Sequence, residues 1–203
     1  LKSIAFAIFI ALIIRSFIAE PYNIPSGSMK PNLLVGDFIF VSKWSYGYSK
    51  HSLPFLIPII PNKIFSKMPN RGDVVVFKTP ADNRTDYIKR LIGLPGDQIQ
   101  FIASNLYVNN SEILKSKLKN KKKIFCGESE FDTFLFEESI SEKKKHLTVY
   151  SKKNSYQNSD PFIVPDKHYF FLGDNRDWSK DSRFLTSVGY VHEDNLVGKA
   201  QFI

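Results

Sequence analysis

The chain has 203 residues, a net charge of +8, 43% hydrophobic residues and one cysteine. That size suits one domain, or one domain with an insertion, and the composition excludes wholesale disorder. A disulfide-stapled mini-protein is excluded as well, because Cys126 has no partner within the chain; the redox compartment stays open.

The basic balance suggests an anionic partner, nucleic acid or a lipid surface. Its distribution decides more than its total. Eleven lysines against six acids lie between Lys115 and Lys153, so most of the excess charge sits in one segment, which weighs against nucleic acid.

In chain order, residues Ile4 to Ile14 form a continuous apolar run that Arg15 interrupts. Three readings compete for it: a secretory signal peptide, a buried helix, or the outer part of a transmembrane helix with Arg15 reaching the head groups. A signal peptide lacks a good cleavage site, because Phe17 stands where a small residue belongs. An all-round apolar helix is unusual in a soluble core. The expectation is therefore a transmembrane helix over residues 1–19, cut short because the chain starts with Leu. Helix ends at Glu20-Pro21, since the residue before proline resists it. Strands are expected from Phe38, over Val74 to Phe77, Tyr87 to Gly93, Gln98 to Ile102, Leu106 to Val108, His168 to Leu172 and Leu196 to Ile203. Asn109-Asn110 predicts a hairpin turn, because Asn tolerates the left-handed backbone. Leu53 to Pro61, apolar but holding three prolines, is either a loop packed on the core or a lip dipping into a bilayer. Residues 115–160 read as an inserted, solvated, lysine-rich subdomain between two parts of a mostly β catalytic core, 20–114 and 161–203.

The chemistry-bearing residues narrow by elimination. His51, His146, His168 and His192 lack a catalytic setting, and no G-x-S-x-G elbow is present. Asp174, Asp177 and Asp181 do not make a calcium loop, since Arg176 and Trp178 occupy positions that need oxygen ligands. No Cys/His set has zinc spacing, so neither metal nor cofactor is expected. Two short stretches remain, Pro25-Ser26-Gly27-Ser28-Met29 and Tyr87-Ile88-Lys89-Arg90. Apolar neighbours around Lys89 disfavour its charged form, and a neutral lysine can serve as the base a serine needs.

PSGSM, GDVVVF, YIKRLIGLPGD and GDNRDWSKDSR, in this order, resemble the type I (leader) signal peptidases, the Ser-Lys membrane proteases. The resemblance implies Ser28 as nucleophile and Lys89 as general base, with the Ser26 hydroxyl and the Ser28 N–H as oxyanion hole. It implies that Ser179 hydrogen-bonds and orients the lysine, that Asp181 and Arg183 form a supporting ion pair, and that Asp174 pairs with Arg90. An extended preprotein would lie between Asn23-Ile24 and Tyr87-Ile88, with Ile24, Met29, Leu33, Tyr87 and Ile88 lining shallow pockets that favour Ala-x-Ala before the cut. The implied partners are preprotein signal peptides, membrane lipids and the export machinery, at the outer face of the cytoplasmic membrane. Trp178 and Lys180 depart from the family pattern, where Asn and a small residue are usual, and the turn from Phe184 to Gly189 is longer. Two rival readings stay open: a related Ser-Lys self-cleaving repressor, which would carry an amino-terminal helix-turn-helix, and a membrane-anchored binding module with a decayed site.

Overall fold

The computed structural model describes residues 2–49, 63–118, 122–126, 129–141, 144–151 and 157–201. The chain opens with helix α1, Lys2–Ile13, and a π-helical turn, Ile14–Ile18. Every helix residue is apolar except Lys2 and Ser3, and none is buried. No described helix is long and apolar enough to cross a membrane. Twelve residues rise only about 18 Å, against a hydrocarbon core of roughly 30 Å. The transmembrane helix expected over residues 1–19, cut short, is thus not found as a spanning helix among the described residues. Arg15 turns to Glu20 at 2.6 Å, and Glu20 also pairs with Lys43 at 2.9 Å. Regular helix gives out before the expected Glu20-Pro21 break, and both residues belong to the first strand. That strand lies at a sheet edge, where proline's missing N–H is tolerated.

Strands then dominate: β1 Ala19–Asn23, β2 Phe38–Ser42, β3 Val74–Lys78, β4 Asp86–Gly93, β5 Gln98–Ile102, β6 Asn105–Val108, β7 Ser111–Glu112, β8 Lys115–Lys117, β9 Lys122–Cys126, β10 Ser129–Ser141, β11 Lys144–Ser151, β12 Phe162–Ile163, β13 His168–Leu172, β14 Val191–His192 and β15 Leu196–Gln201. The mostly β expectation holds, and the expected strands fall within a residue or two of these. The main sheet has the order β1-β2-β15-β3-β4-β13-β14. It buries both faces. Along β3, Val74 and Val76 join Ile24, Met29, Ile39 and Ile88 on one side, while Val75 and Phe77 join Leu91, Phe171 and Leu196 on the other. This is the period-two alternation of a strand, and it explains why β3 reads as an unbroken apolar run.

A second sheet, β12-β5-β6-β7, turns between its last two strands on Asn109 and Asn110, with φ of 52° and 64°, as their residue type predicts. The lysine-rich segment makes a third sheet, β11-β10-β8, with β9 also on β10. It is not solvated throughout. Ile140 packs with Ile92 and Phe170, Val149 is buried, and Lys144 reaches Asp73 of the main sheet at 3.0 Å. Asp73 also takes Lys199 at 2.9 Å, so part of the local positive charge is compensated inside the fold. The proline-rich stretch Leu53 to Pro61 lies outside the described residues.

Candidate active site

Ser28 sits on a single 3₁₀ turn, Gly27–Met29. The turn is anchored from below. Met29 and Leu33 are fully buried among Ile24, Ile39, Val76 and Ile88, and the Leu33 N–H donates to the Met29 carbonyl at 3.0 Å. Two residues expected to line a substrate pocket, Met29 and Leu33, thus hold the serine turn and line neither of the two cavities described next.

Lys89 projects from the middle of β4 and is 4% exposed. Its Nζ stands 2.7 Å from Ser28 Oγ and 2.9 Å from the Ile88 carbonyl. The Tyr87 ring lies 5.1 Å from the same nitrogen. Burial pushes the lysine pKa down to about 8, and the opposing pull of Asp181 and Asp174 does not restore it. Ser26 Oγ lies 3.2 Å from Ser28 Oγ on the exposed side of the turn.

The loop after β13 locks both residues in place. Asp174 binds Arg90, the neighbour of Lys89, through two contacts of 2.7 Å, and accepts a third from Asn32 Nδ2 at 2.7 Å. The Asn175 N–H donates to the Ser28 carbonyl at 3.0 Å and its side-chain amide to the Gly27 carbonyl at 3.1 Å. Asp181 pairs with Arg183 at 2.8 Å and accepts the Gly173 N–H at 3.0 Å. Both expected ion pairs are therefore formed. The expected bond from Ser179 to the lysine is not: Ser179 Oγ is buried and has no hydrogen-bond partner among the described residues. Lys89 Nζ is engaged by Ser28 and Ile88 instead, and Ser179 packs against Gly173. A Cβ on Gly173 would fall 2.1 Å from Ser179 Oγ and 2.6 Å from the Ser28 carbonyl oxygen, so only glycine fits there.

Two adjoining cavities meet at this point. One, about 90 Å³, is lined by Tyr22, Asn23, Ile24 and Pro25 on one side and Asp86, Tyr87 and Ile88 on the other, above Ile39 and Val76. The second, about 390 Å³, holds Ser26, Ser28 and Lys89 and is closed by Trp178 and Lys180. Asn23, Ile24, Tyr87 and Ile88 thus flank one groove, as the resemblance implies.

Several residues around the site were not singled out in the sequence. Gly173 and Asn175 lie inside the GDNRDWSKDSR motif, whose density of Gly, Asp and Asn was the available signal. Glu138 and His146 had none, being buried in a segment that reads as solvated. Glu138 grips Arg176 at 2.7 and 2.5 Å, and Arg176 Nε donates to the Gly173 carbonyl at 3.2 Å. The ring nitrogens of His146 are buried without a hydrogen-bond partner among the described residues, with Nε2 3.7 Å from both Glu138 and Asp174. Burial, aided by Arg90, pushes its pKa down to about 4, so it is neutral at physiological pH. Backbone joins the same parts: the Val149 N–H donates to the Asp174 carbonyl, and the Arg176 N–H to the Val149 carbonyl, each at 2.9 Å.

The chain is similar to known proteins of one family. The family model described as signal peptidase, peptidase S26, matches residues 1–203. Signal peptidase I of Rickettsia conorii is 43% identical over 99% of this chain and 77% of its own length. That of Rickettsia canadensis is 44% identical, over 100% of this chain and 77% of its own. A crystal structure of a signal peptidase I from Enterococcus faecalis V583 aligns with 66% of this chain and 97% of its own at 25% identity; its TM-score of 0.38 carries no structural argument. The match over the whole chain, together with relatives well above 30% identity, establishes that this protein belongs to the signal peptidase family, peptidase S26.

Proposed function

We propose that the protein is a serine endopeptidase that releases exported preproteins from their signal peptides, with Ser28 as nucleophile and Lys89 as general base. The observation that carries the reading is the 2.7 Å contact between a buried lysine amine and a serine hydroxyl. A neutral Lys89 accepts the Ser28 proton as Oγ attacks the scissile carbonyl. The tetrahedral oxyanion is met by the Ser26 hydroxyl and the Ser28 N–H. Lys89 then returns the proton to the leaving amine, and an activated water releases the acyl group. Asp174–Arg90 and Asp181–Arg183 keep the lysine strand and the motif loop in register, so positioning is settled before substrate arrives. The groove between Asn23-Ile24 and Tyr87-Ile88 would take the residues before the cut as an added strand, and its small apolar volume favours small side chains such as alanine.

The catalytic core in this reading is 20–114 with 161–203, and 115–160 is an insertion on it. The apolar helix Lys2–Ile13 lodges in the cytoplasmic membrane and holds the catalytic part at its outer face. Its support is the exposure of Ile4, Phe6 and Phe9, each at 60% or more. Phe38, Phe40 and Trp44, also exposed, lie on or beside the strand paired with β1.

The test is cleavage of a preprotein in detergent. Ser28→Ala abolishes it, and Lys89→Arg lowers it by about 10²–10⁴-fold, since guanidinium stays protonated and cannot act as a base. Lys89→Arg with near-parental activity would sink the lysine-base mechanism.

A further inference from the structure

The cavity that holds Ser28 and Lys89 has a wall the mechanism does not use. Trp178 and Lys180 form it, facing Thr85, Asp86 and Tyr87 across the opening. Both lie on a segment held rigidly from within. Ser179 between them is buried against Gly173, and Asp181 is fully buried in its pair with Arg183. Alternation about these anchors turns the Lys180 side chain out, and it is exposed. Among the described residues it makes no hydrogen bond or ion pair, and Asp86, the carboxylate that lines the cavity, is taken by Lys78 at 2.8 Å. Among the described residues, Lys180 thus stands on the cavity wall without a counter-ion, beside an indole and in the cavity that holds Ser28.

We infer that Trp178 and Lys180 form a subsite for the first residues after the cut, and that it selects acidic side chains there. The placement follows from the two cavities. Residues before the cut fill the smaller groove between β1 and β4, so the chain that continues past Ser28 enters the larger cavity and runs along the Trp178–Lys180 wall. An exposed ion pair contributes modestly, and a Lys in place of a Glu at these positions changes a weak attraction into a repulsion. The indole offers an apolar platform for the stem of the same side chain. The inference rests on Ser28 and Lys89 being the reacting pair.

The experiment uses the full chain in detergent with signal-peptide substrates that differ only in Glu, Gln or Lys at the first or second position after the cut. The parent is expected to cut the Glu peptide with a kcat/KM about 2- to 5-fold above the Lys peptide at low salt, and the difference shrinks as salt screens the charge. Lys180→Ala removes the preference and Lys180→Glu reverses it. Equal cutting of Glu and Lys peptides by the parent, with Ser28→Ala inactive on both, overturns the subsite and leaves the mechanism standing. A preference that persists in Lys180→Ala overturns it as well. Parent protein that cuts none of the peptides, or Ser28→Ala that cuts them all, defeats the underlying reading instead.

Discussion

Gly173 shows how closely the surroundings of Ser28 are built. The space a Cβ would need is already filled by Ser179 and the Ser28 carbonyl. Gly173→Ala therefore forces the serine turn away from Lys89. Its expected effect is a loss of about 1–3 kcal/mol in stability and a fall in kcat of at least 100-fold, read by denaturant unfolding and by cleavage assays. Activity within a few-fold of the parent would show that the loop yields without moving Ser28. Lys89 gives a second prediction at this scale. With its pKa pushed down to about 8, the neutral amine gains population as pH rises through that value. The rising limb of kcat/KM against pH is expected to be centred near 8, not near the ordinary lysine range. A profile that peaks in acid would contradict a lysine base.

At the scale of elements, the hairpin of β10 and β11 is the part that composition misrepresents. Lys145 is exposed, yet Glu138, Thr148 and Val149 are almost wholly buried. The Glu138–Arg176 pair is buried on both sides, which is expensive to desolvate and still more expensive to break. Glu138→Gln leaves a buried guanidinium partly uncompensated and is expected to destabilise the protein by about 3–5 kcal/mol. Replacing both partners, as Glu138→Met with Arg176→Leu, should recover much of that loss. Thermal unfolding of the two variants decides it: equal destabilisation would mean that the hydrogen bonds Arg176 donates to the Tyr150 hydroxyl, at 2.8 Å, and to the Gly173 carbonyl matter more than the charge. The helix Lys2–Ile13 makes its own prediction. Its removal should abolish co-flotation with lipid vesicles while peptide cleavage in detergent continues; full flotation without it would transfer membrane contact to other surfaces.

For the molecule as a whole, the buried network gives stability a definite dependence on pH. His146 has a folded pKa near 4 against an ordinary value of 6.5, so between these the unfolded chain binds a proton that the folded one does not. Stability is thus intact above about pH 6.5 and declines as pH falls toward 4, by an amount on the order of 3 kcal/mol. Lys89 acts in the same sense at alkaline pH, where stability rises between about 8 and 10.5. Midpoints of urea unfolding from pH 7 to 4 should show the decline, and a His146→Gln variant should show a shallower one. An identical slope in the variant would assign acid sensitivity to the carboxylates alone.

Much of this was legible in the sequence. Short runs of β-branched and aromatic residues bounded by Gly-Asp turns gave the main strands, because alternation and turn chemistry are local. The resemblance of the four ordered motifs to the signal peptidases pointed to Ser28, Lys89, Arg90, Asp174, Asp181 and Arg183, and the fold brings these side chains together. Burial of charge is not local. Whether Glu138 and His146 face water or Arg176 and Asp174 depends on where a long hairpin folds back, and a lysine-rich composition points the wrong way. The same holds for Met29 and Leu33, which are apolar on any reading but anchor the turn and line neither of the two cavities at Ser28. It holds again for Ser179, whose hydroxyl lies against Gly173, and for Lys180, whose neighbours are decided by two buried anchors on either side. The sequence by itself determined the mostly β fold class and pointed to Ser28 and Lys89 through the family resemblance; the tertiary structure decided which charges are buried and which face the cleft, because burial is set by contacts between segments far apart in the chain.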